Sequence, residues 1–334
     1  MNTADHPFIQ FLKHNRMRAL IAVLLGAAYG LLARWEMATD VMTVSFIFLV
    51  PLVIGFVSVW FSPEHLRVKV WFALFLPWLA GLCFVLGAMA VAFEGLICVV
   101  FMLPVVFVLS SVGGFCAKII ATIVAKKQAS VSQQSLILAS FLIIPFVSMP
   151  LENSLSSENR LIKTVNSVIR IHAPKAVVWR NIIRVPTIQP EEQTTSFFHR
   201  IGFPKPLEAT LSHEGIGGVR HASFERGVVF TETITDWRDG ELISFSIKAN
   251  TEDIPPTTFD EHVTIGGEYF DILQGTYRIE EAPNGDVILH LSSEQRLSTN
   301  FNIYAGLWTG AIMQDIQSNI LTVIKRRCEA QSQQ

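Results

Sequence analysis

Six histidines (His172, His199, His213, His221, His262 and His290) are scattered through the second half of the chain without the spacing of a metal site. The two His–Glu neighbours, His213-Glu214 and Glu261-His262, are adjacent in sequence, so on a strand they point to opposite faces. HExxH, CxxC, GxSxG, a phosphate-cradling GxxxxGK[ST] and an EF-hand loop are all missing. The expectation is therefore no metal, no cofactor and no assigned catalytic residue. The charged residue of most interest is Glu232. In the run 228–237, Phe230, Glu232 and Ile234 share one face, and Thr231, Thr233 and Thr235 the other. If the apolar set points inward, Glu232 goes in with it, and a buried charge needs a partner. In the neighbouring run, Ala222 and Phe224 share a face with Arg220 and Arg226, so either arginine could meet Glu232 inside. Such a pair is either a structural ion pair or a polar contact for a ligand.

These side chains need elements to hold them. A strand over 165–171 is followed by a helix opening at Pro174, with Val177, Val178 and Trp179 on it, and by a second short helical stretch at 191–199. Strands are expected at 207–213, 220–226, 228–237, 242–248, 269–280 and 287–297, divided by Gly215-Ile216-Gly217-Gly218, Asp239-Gly240 and Asn284-Gly285. Gly266-Gly267 reads as a bend or bulge before the sixth of the seven. In the last hairpin Tyr269, Leu273 and Tyr277 share a face, and Leu289, Leu291 and Leu297 another. The final helix runs from 302 to about 329, with Ile303, Leu307, Ile312, Ile316, Ile320 and Val323 at helical spacing. Tyr304 and Trp308 lie one turn apart near its start.

Strand, two helices, antiparallel strands and a closing helix form an α+β order. The helix must bury its stripe against a curved sheet, and this helix-grip arrangement leaves a gap that ligands can enter. VIRIHAPKAVVW, beginning at Val168, resembles the opening of the SRPBCC, or START-like, superfamily, which includes polyketide cyclases, the birch-pollen allergen family and lipid-transfer START domains. GVVFTETITDWRDGELISFSI, from Gly227, is similar to its central hairpin, and GTYRIEEAPNGDVILHLSSEQ, from Gly275, to its last hairpin. The resemblance covers about residues 163 to 330. It implies a fold and a cavity for a hydrophobic molecule rather than one activity.

The first half has another character. Half of the 334 residues are hydrophobic and 16% are charged, against about a quarter charged in soluble proteins. Five apolar runs, 17–35, 41–61, 70–92, 95–117 and 135–151, approach the roughly 20 residues that a spanning helix needs. Trp35, Trp60 and Trp71 sit at run ends, as interfacial anchors do. No small-x-small cleavage site comes after the first run, so it reads as a retained anchor. Lys13, Arg16 and Arg18 place the N-terminus in the cytoplasm. The loops with Arg67 and Lys69, and with Lys118, Lys126 and Lys127, then fall on the same side. The fifth run, with Pro145 and Pro150, decides the side of the C-terminal half: outer or periplasmic if the run spans, cytoplasmic if it is re-entrant. Spanning is the expectation. Gly26 and Gly30, and Ser110, Gly113 and Gly114, offer close helix approach, within the chain or between copies in a homo-oligomer.

The expected organisation is a transmembrane region over 1–152, a polar linker over 153–164 and an SRPBCC-like domain over 165–330. Neither half is basic enough for a nucleic-acid partner. The expected partners are the bilayer and an apolar or amphipathic small molecule, plausibly a lipid, with Trp179, Arg220, Phe224, Phe230, Glu232, Tyr269, Leu273, Tyr277, Tyr304, Trp308 and Ile312 as candidate cavity residues. A cyclase- or hydrolase-type enzyme using Glu232, and a filled-core assembly or sensing module, are the alternatives.

Overall fold

The computed structural model describes residues 7–38, 42–155, 160–250 and 265–333. Glu261 and His262 lie outside these. The chain divides into two compact units, Met1–Ser157 and Glu158–Gln334.

In the first unit, long apolar runs close their own backbone hydrogen bonds as helices, as an apolar surrounding demands. The helices are α1 (Pro7–Glu36), α2 (Ser45–Trp60), the single turn α3 (Glu64–Arg67), α4 (Val70–Ala90), α5 (Leu96–Lys126) and α6 (Val131–Leu155). Four segments are long and apolar enough to cross a membrane: Asn15–Glu36, Val70–Ala90, Leu96–Lys126 and Val131–Leu155. Their outward faces carry Leu24, Leu32, Val108, Ile119, Ile143 and Val147, which is compatible with a membrane protein. Five such helices were expected. The second run instead gives the shorter α2, which opens with a π-helical turn, Ser45–Leu49. From Val50 to Trp60 every residue but Leu52 is buried. The helices come close because both α2 and its neighbour α5 carry glycines: a Cβ on Gly55 would lie 1.8 Å from Ser110 O, and one on Gly113 would lie 1.8 Å from Leu52 O. A Cβ on Gly26 would meet Ile54 O at 2.9 Å, so the predicted close-approach surfaces are used inside this chain. The proline-containing fifth run is one continuous helix, longer at both ends than predicted.

The second unit holds β1 (Leu161–Ile171), α7 (Lys175–Ile183), α8 (Phe197–Ile201), β2 (Pro206–Leu211), β3 (Val219–Phe224), β4 (Val229–Arg238), β5 (Leu242–Asn250), β6 (Phe270–Glu281), β7 (Val287–Leu297) and α9 (Asn302–Ser332). All strand pairs are antiparallel, in the order β1-β7-β6-β5-β4-β3-β2. The result is a curled sheet gripping a long C-terminal helix, as expected. The expected linker is shorter in the structure, because α6 runs to Leu155 and β1 already pairs at Leu161↔Leu297. Val178, Trp179 and Ile182 of α7 share one core with Ile234 and Ile243 from the sheet, and with Leu321, Ile324 and Cys328 from α9.

The helix stripe differs from the prediction in its first turns. Ile316, Ile320 and Val323 turn inward or to the cavity, but Ile303 and Leu307 are exposed. Glycines set this rotation. Gly306 is buried beside Leu297 and accepts a hydrogen bond from Lys163 Nζ. A Cβ on Gly310 would press on that same Nζ at 2.5 Å. The helix therefore meets β1 through its smallest residues, and the large apolar ones beside them face away.

Candidate ligand cavity

A cavity of about 100 Å³ lies between the concave sheet face and the middle of α9. Ala222, Phe230, Phe245, Ile247 and Leu291 line it from the sheet, and Met313, Ile316 and Ile320 from the helix. Strand alternation explains the sheet residues, because one face of every strand points in. The same alternation carries polar groups inside. Arg220 and Glu232 are direct partners across β3 and β4, and Arg220 Nη1 donates to a Glu232 carboxylate oxygen. Arg220 is 4% exposed and Glu232 6%. Arg226, the other predicted partner, sits in an exposed turn with φ of 61°.

The ion pair is held from its far side by rings. The Arg220 guanidinium carbon lies 5.5 Å from the Phe245 ring centroid, a cation–π distance. Phe245 can lie there because Gly275 has no side chain: a Cβ would approach that ring to 2.5 Å. Burial pushes the Glu232 carboxyl above its ordinary range, against the opposing pull of Arg220. Burial likewise pushes the Tyr277 phenol up to about 12, with Arg220 again opposing. Across the cavity, Gln317 of α9 donates to Val165 O at 3.1 Å and to Ser293 Oγ at 2.9 Å. The helix is thereby fixed to β1 and β7.

Five of the predicted residues come together on this wall: Arg220, Phe224, Phe230, Glu232 and Tyr277. Trp179 belongs to the shared core, edge-on to Trp237 at 5.0 Å. Tyr269 and Leu273 lie off the wall because the β6 register shifts between Ile272 and Gln274. This bulge moves the inward face from the 269, 273, 277 series to Ile272, Gly275 and Tyr277. Tyr304, Trp308 and Ile312 lie off it because of the glycine-set rotation of α9. Phe245, Met313, Gln317 and Ser293 were missed. For Phe245 the signal was present in the alternation of Ile243, Phe245 and Ile247. For Gln317 a polar side chain on a helix gave none.

A second polar cluster resembles a Ser–His–Asp set but has other geometry. Ser196 N donates to His199 Nδ1 at 3.1 Å, His199 N donates back to Ser196 Oγ, and Ser196 Oγ donates to Asp315 Oδ2 at 2.7 Å. The aspartate binds the serine instead of the imidazole, and the loops close a capping box at the start of α8. Among the described residues no group of His, Cys, Asp and Glu is arranged to hold a metal.

No family model and no curated protein matches the chain. Solved structures match over its C-terminal half. One is Ara h 8.0201, at 11% identity and a TM-score of 0.31 over 50% of this chain and 98% of that one. Another is truncated norcoclaurine synthase from Thalictrum flavum, at 12% identity and a TM-score of 0.30 over 50% and 95%. A third is DynU16, from the dynemicin biosynthetic locus, at 13% identity and a TM-score of 0.31. That match spans 51% of this chain but only 48% of DynU16. These are SRPBCC-type folds.

Proposed function

We propose that the C-terminal domain binds a small apolar or amphipathic molecule between its sheet and α9, and that the N-terminal helices anchor it in a membrane where such molecules concentrate. The observation that carries this reading is the apolar cavity itself, walled by Phe230, Phe245, Leu291 and Met313. An apolar ligand gains about 25 cal/mol for each Å² removed from water, so few polar contacts are needed. Arg220, Phe224, Phe230, Glu232 and Tyr277 are assigned to ligand contact. The volume suits a short chain or a small ring system, such as a lipid fragment, better than a whole diacyl lipid.

Binding is favoured over catalysis by the state of the polar groups. General acid–base work needs a group that exchanges protons near the operating pH. Burial pushes the Glu232 carboxyl up, but the charge and hydrogen bond of Arg220 oppose that push and hold the group in an ion pair, and the Tyr277 phenol, at about 12, keeps its proton at neutral pH. The loop charges support a domain on the outer or periplasmic face if the enclosed α2 crosses together with the four longer helices, since four crossings alone would return the chain to the side of its N-terminus.

The test is native mass spectrometry of the full chain released from lipid nanodiscs, with solvent extraction of any bound molecule. The expected result is a stoichiometric small molecule that is lost in Ala222→Leu, which fills the cavity. Failure to co-purify any molecule, together with no saturable binding of a fluorescent fatty acid, refutes the reading.

A further inference from the structure

We propose that the end of the C-terminal domain bearing the first turns of α9 and the start of β1 is a docking surface for the lipid bilayer. This rests on the membrane-anchored reading given above. The strand register defines two ends of the sheet. At one end lie Leu161, Leu297 and Phe270, which pair across β1, β7 and β6. At the other lie Ile171, Val287 and Glu281, with the turns at 212–218 and 239–241. The helix α9 starts at the first end, where Lys163 bonds Gly306, and finishes at the second, where Glu329 accepts from His172 N.

Apolar exposure gathers at the first end. Ile303 is 88% exposed, Leu307 66% and Ile162 52%. Tyr304 and Trp308, packed edge to face, lie on the same turns, and such aromatics favour the headgroup level of a bilayer. Leu161, at 39%, is exposed beside Ile162, and Lys163, which follows them, is engaged with Gly306 of α9, so this edge of β1 and the first turns of α9 form one continuous apolar face. The second end of α9 instead carries Lys325, Arg326, Arg327 and Glu329.

Chain length identifies the occupant as lipid. Five residues, 156–160, separate the last residue of α6 from the first of β1, and a fully extended chain spans about 3.5 Å per residue. Leu161 therefore starts within about 20 Å of the end of an apolar helix long enough to cross a membrane. At that range the bilayer is present at high effective concentration, and a few side chains suffice for contact. Pro206 and Phe224, paired across β2 and β3 on the cavity wall, lie at this end too.

The experiment places a polarity-sensitive nitrobenzoxadiazole probe at Leu307→Cys, and separately at Ile216→Cys, in the full chain. Ile216 is an equally exposed apolar residue, at 69%, but it lies at the opposite end. Cys83, Cys98 and Cys116 are replaced by alanine, while Cys328 is shielded in the core. The protein is reconstituted in vesicles of phosphatidylcholine and phosphatidylglycerol, with and without a nitroxide on the acyl chain near the headgroup. The expected result is blue-shifted emission at position 307, quenched at least twofold by the nitroxide lipid, and water-like, unquenched emission at 216. Water-like emission at both positions, from protein that still floats with the vesicles and resists alkaline extraction, overturns the docking surface but leaves the anchor. A blue shift at 307 without lipid quenching means that protein covers the patch, and this also overturns it. Protein that does not float with vesicles overturns the anchor and the docking surface together.

Discussion

Neutralising Glu232 while leaving Arg220 charged isolates the cost of the ion pair inside the cavity. Both groups are more than nine-tenths buried, and removing one partner of such a pair costs about 3–5 kcal/mol, because the other charge stays unpaired. Replacing both by apolar residues of similar size is neutral or stabilising by about 1–4 kcal/mol. The domain carries its own reporter, since Cys328 is fully buried in the shared core and its thiol, pushed up to about 12 by burial and then by Glu329, reacts only when that core opens. With Cys83, Cys98 and Cys116 replaced, the rate of maleimide labelling at Cys328 follows the opening equilibrium. At about 1.4 kcal/mol per tenfold, Glu232→Gln should speed labelling by two to three and a half decades. The double variant Arg220→Met with Glu232→Leu should return it to within about tenfold of wild type or slower. A Glu232→Gln protein that labels no more than threefold faster refutes the assignment of a buried, tightly paired site. A double variant as fast as the single one refutes the unpaired charge as the cause.

Three further outcomes can be checked. Gly275→Ala should destabilise the domain by about 1–3 kcal/mol, read as a faster Cys328 labelling rate, since its Cβ would stand 2.5 Å from the Phe245 ring. Denaturant titrations across alkaline pH should show domain stability level below pH 9 and falling towards 12. Cys328 and Tyr277 ionise in the unfolded chain near 9.0 and 10.0 but only near 12 when folded, so the unfolded state sheds protons first and is favoured as pH rises; a flat alkaline limb would refute those shifts. Membrane-impermeant thiol labelling of Ile216→Cys in cells with the outer barrier removed should occur before lysis, and labelling only after lysis would put the domain on the cytoplasmic side.

What was legible in the sequence depended on how regular each element is. Glu232 and Arg220 could be placed because β3 and β4 keep a strict period of two through those positions, so an inward Phe230 carries Glu232 with it. The same rule failed in β6, where one extra residue at the bulge exchanges the faces; Gly275, next to Gln274, was the cue, since a glycine inside a strand often marks a bulge. On α9 the pattern of large apolar residues was read as the buried stripe, whereas Gly306 and Gly310 determine the rotation by letting β1 approach. Hydropathy found the apolar helices but not that α2 is short and enclosed, because a buried helix and a lipid-facing one have the same composition.

The strand order also has a consequence for synthesis. The first strand made, β1, pairs only with the last, β7, while β2 occupies the opposite edge. As the chain leaves the ribosome, Leu161 waits for Leu297, and the inward face of the sheet waits longer for Leu321, Ile324 and Cys328. Pairings between such distant segments form slowly, and the unpaired strand edges are sites of aggregation in the meantime. The tail beyond Leu297 is thus the keystone of the domain. A stop codon in α9 ahead of Leu321 should leave a sheet without its cover, to be cleared by quality control rather than retained as a shortened but working protein.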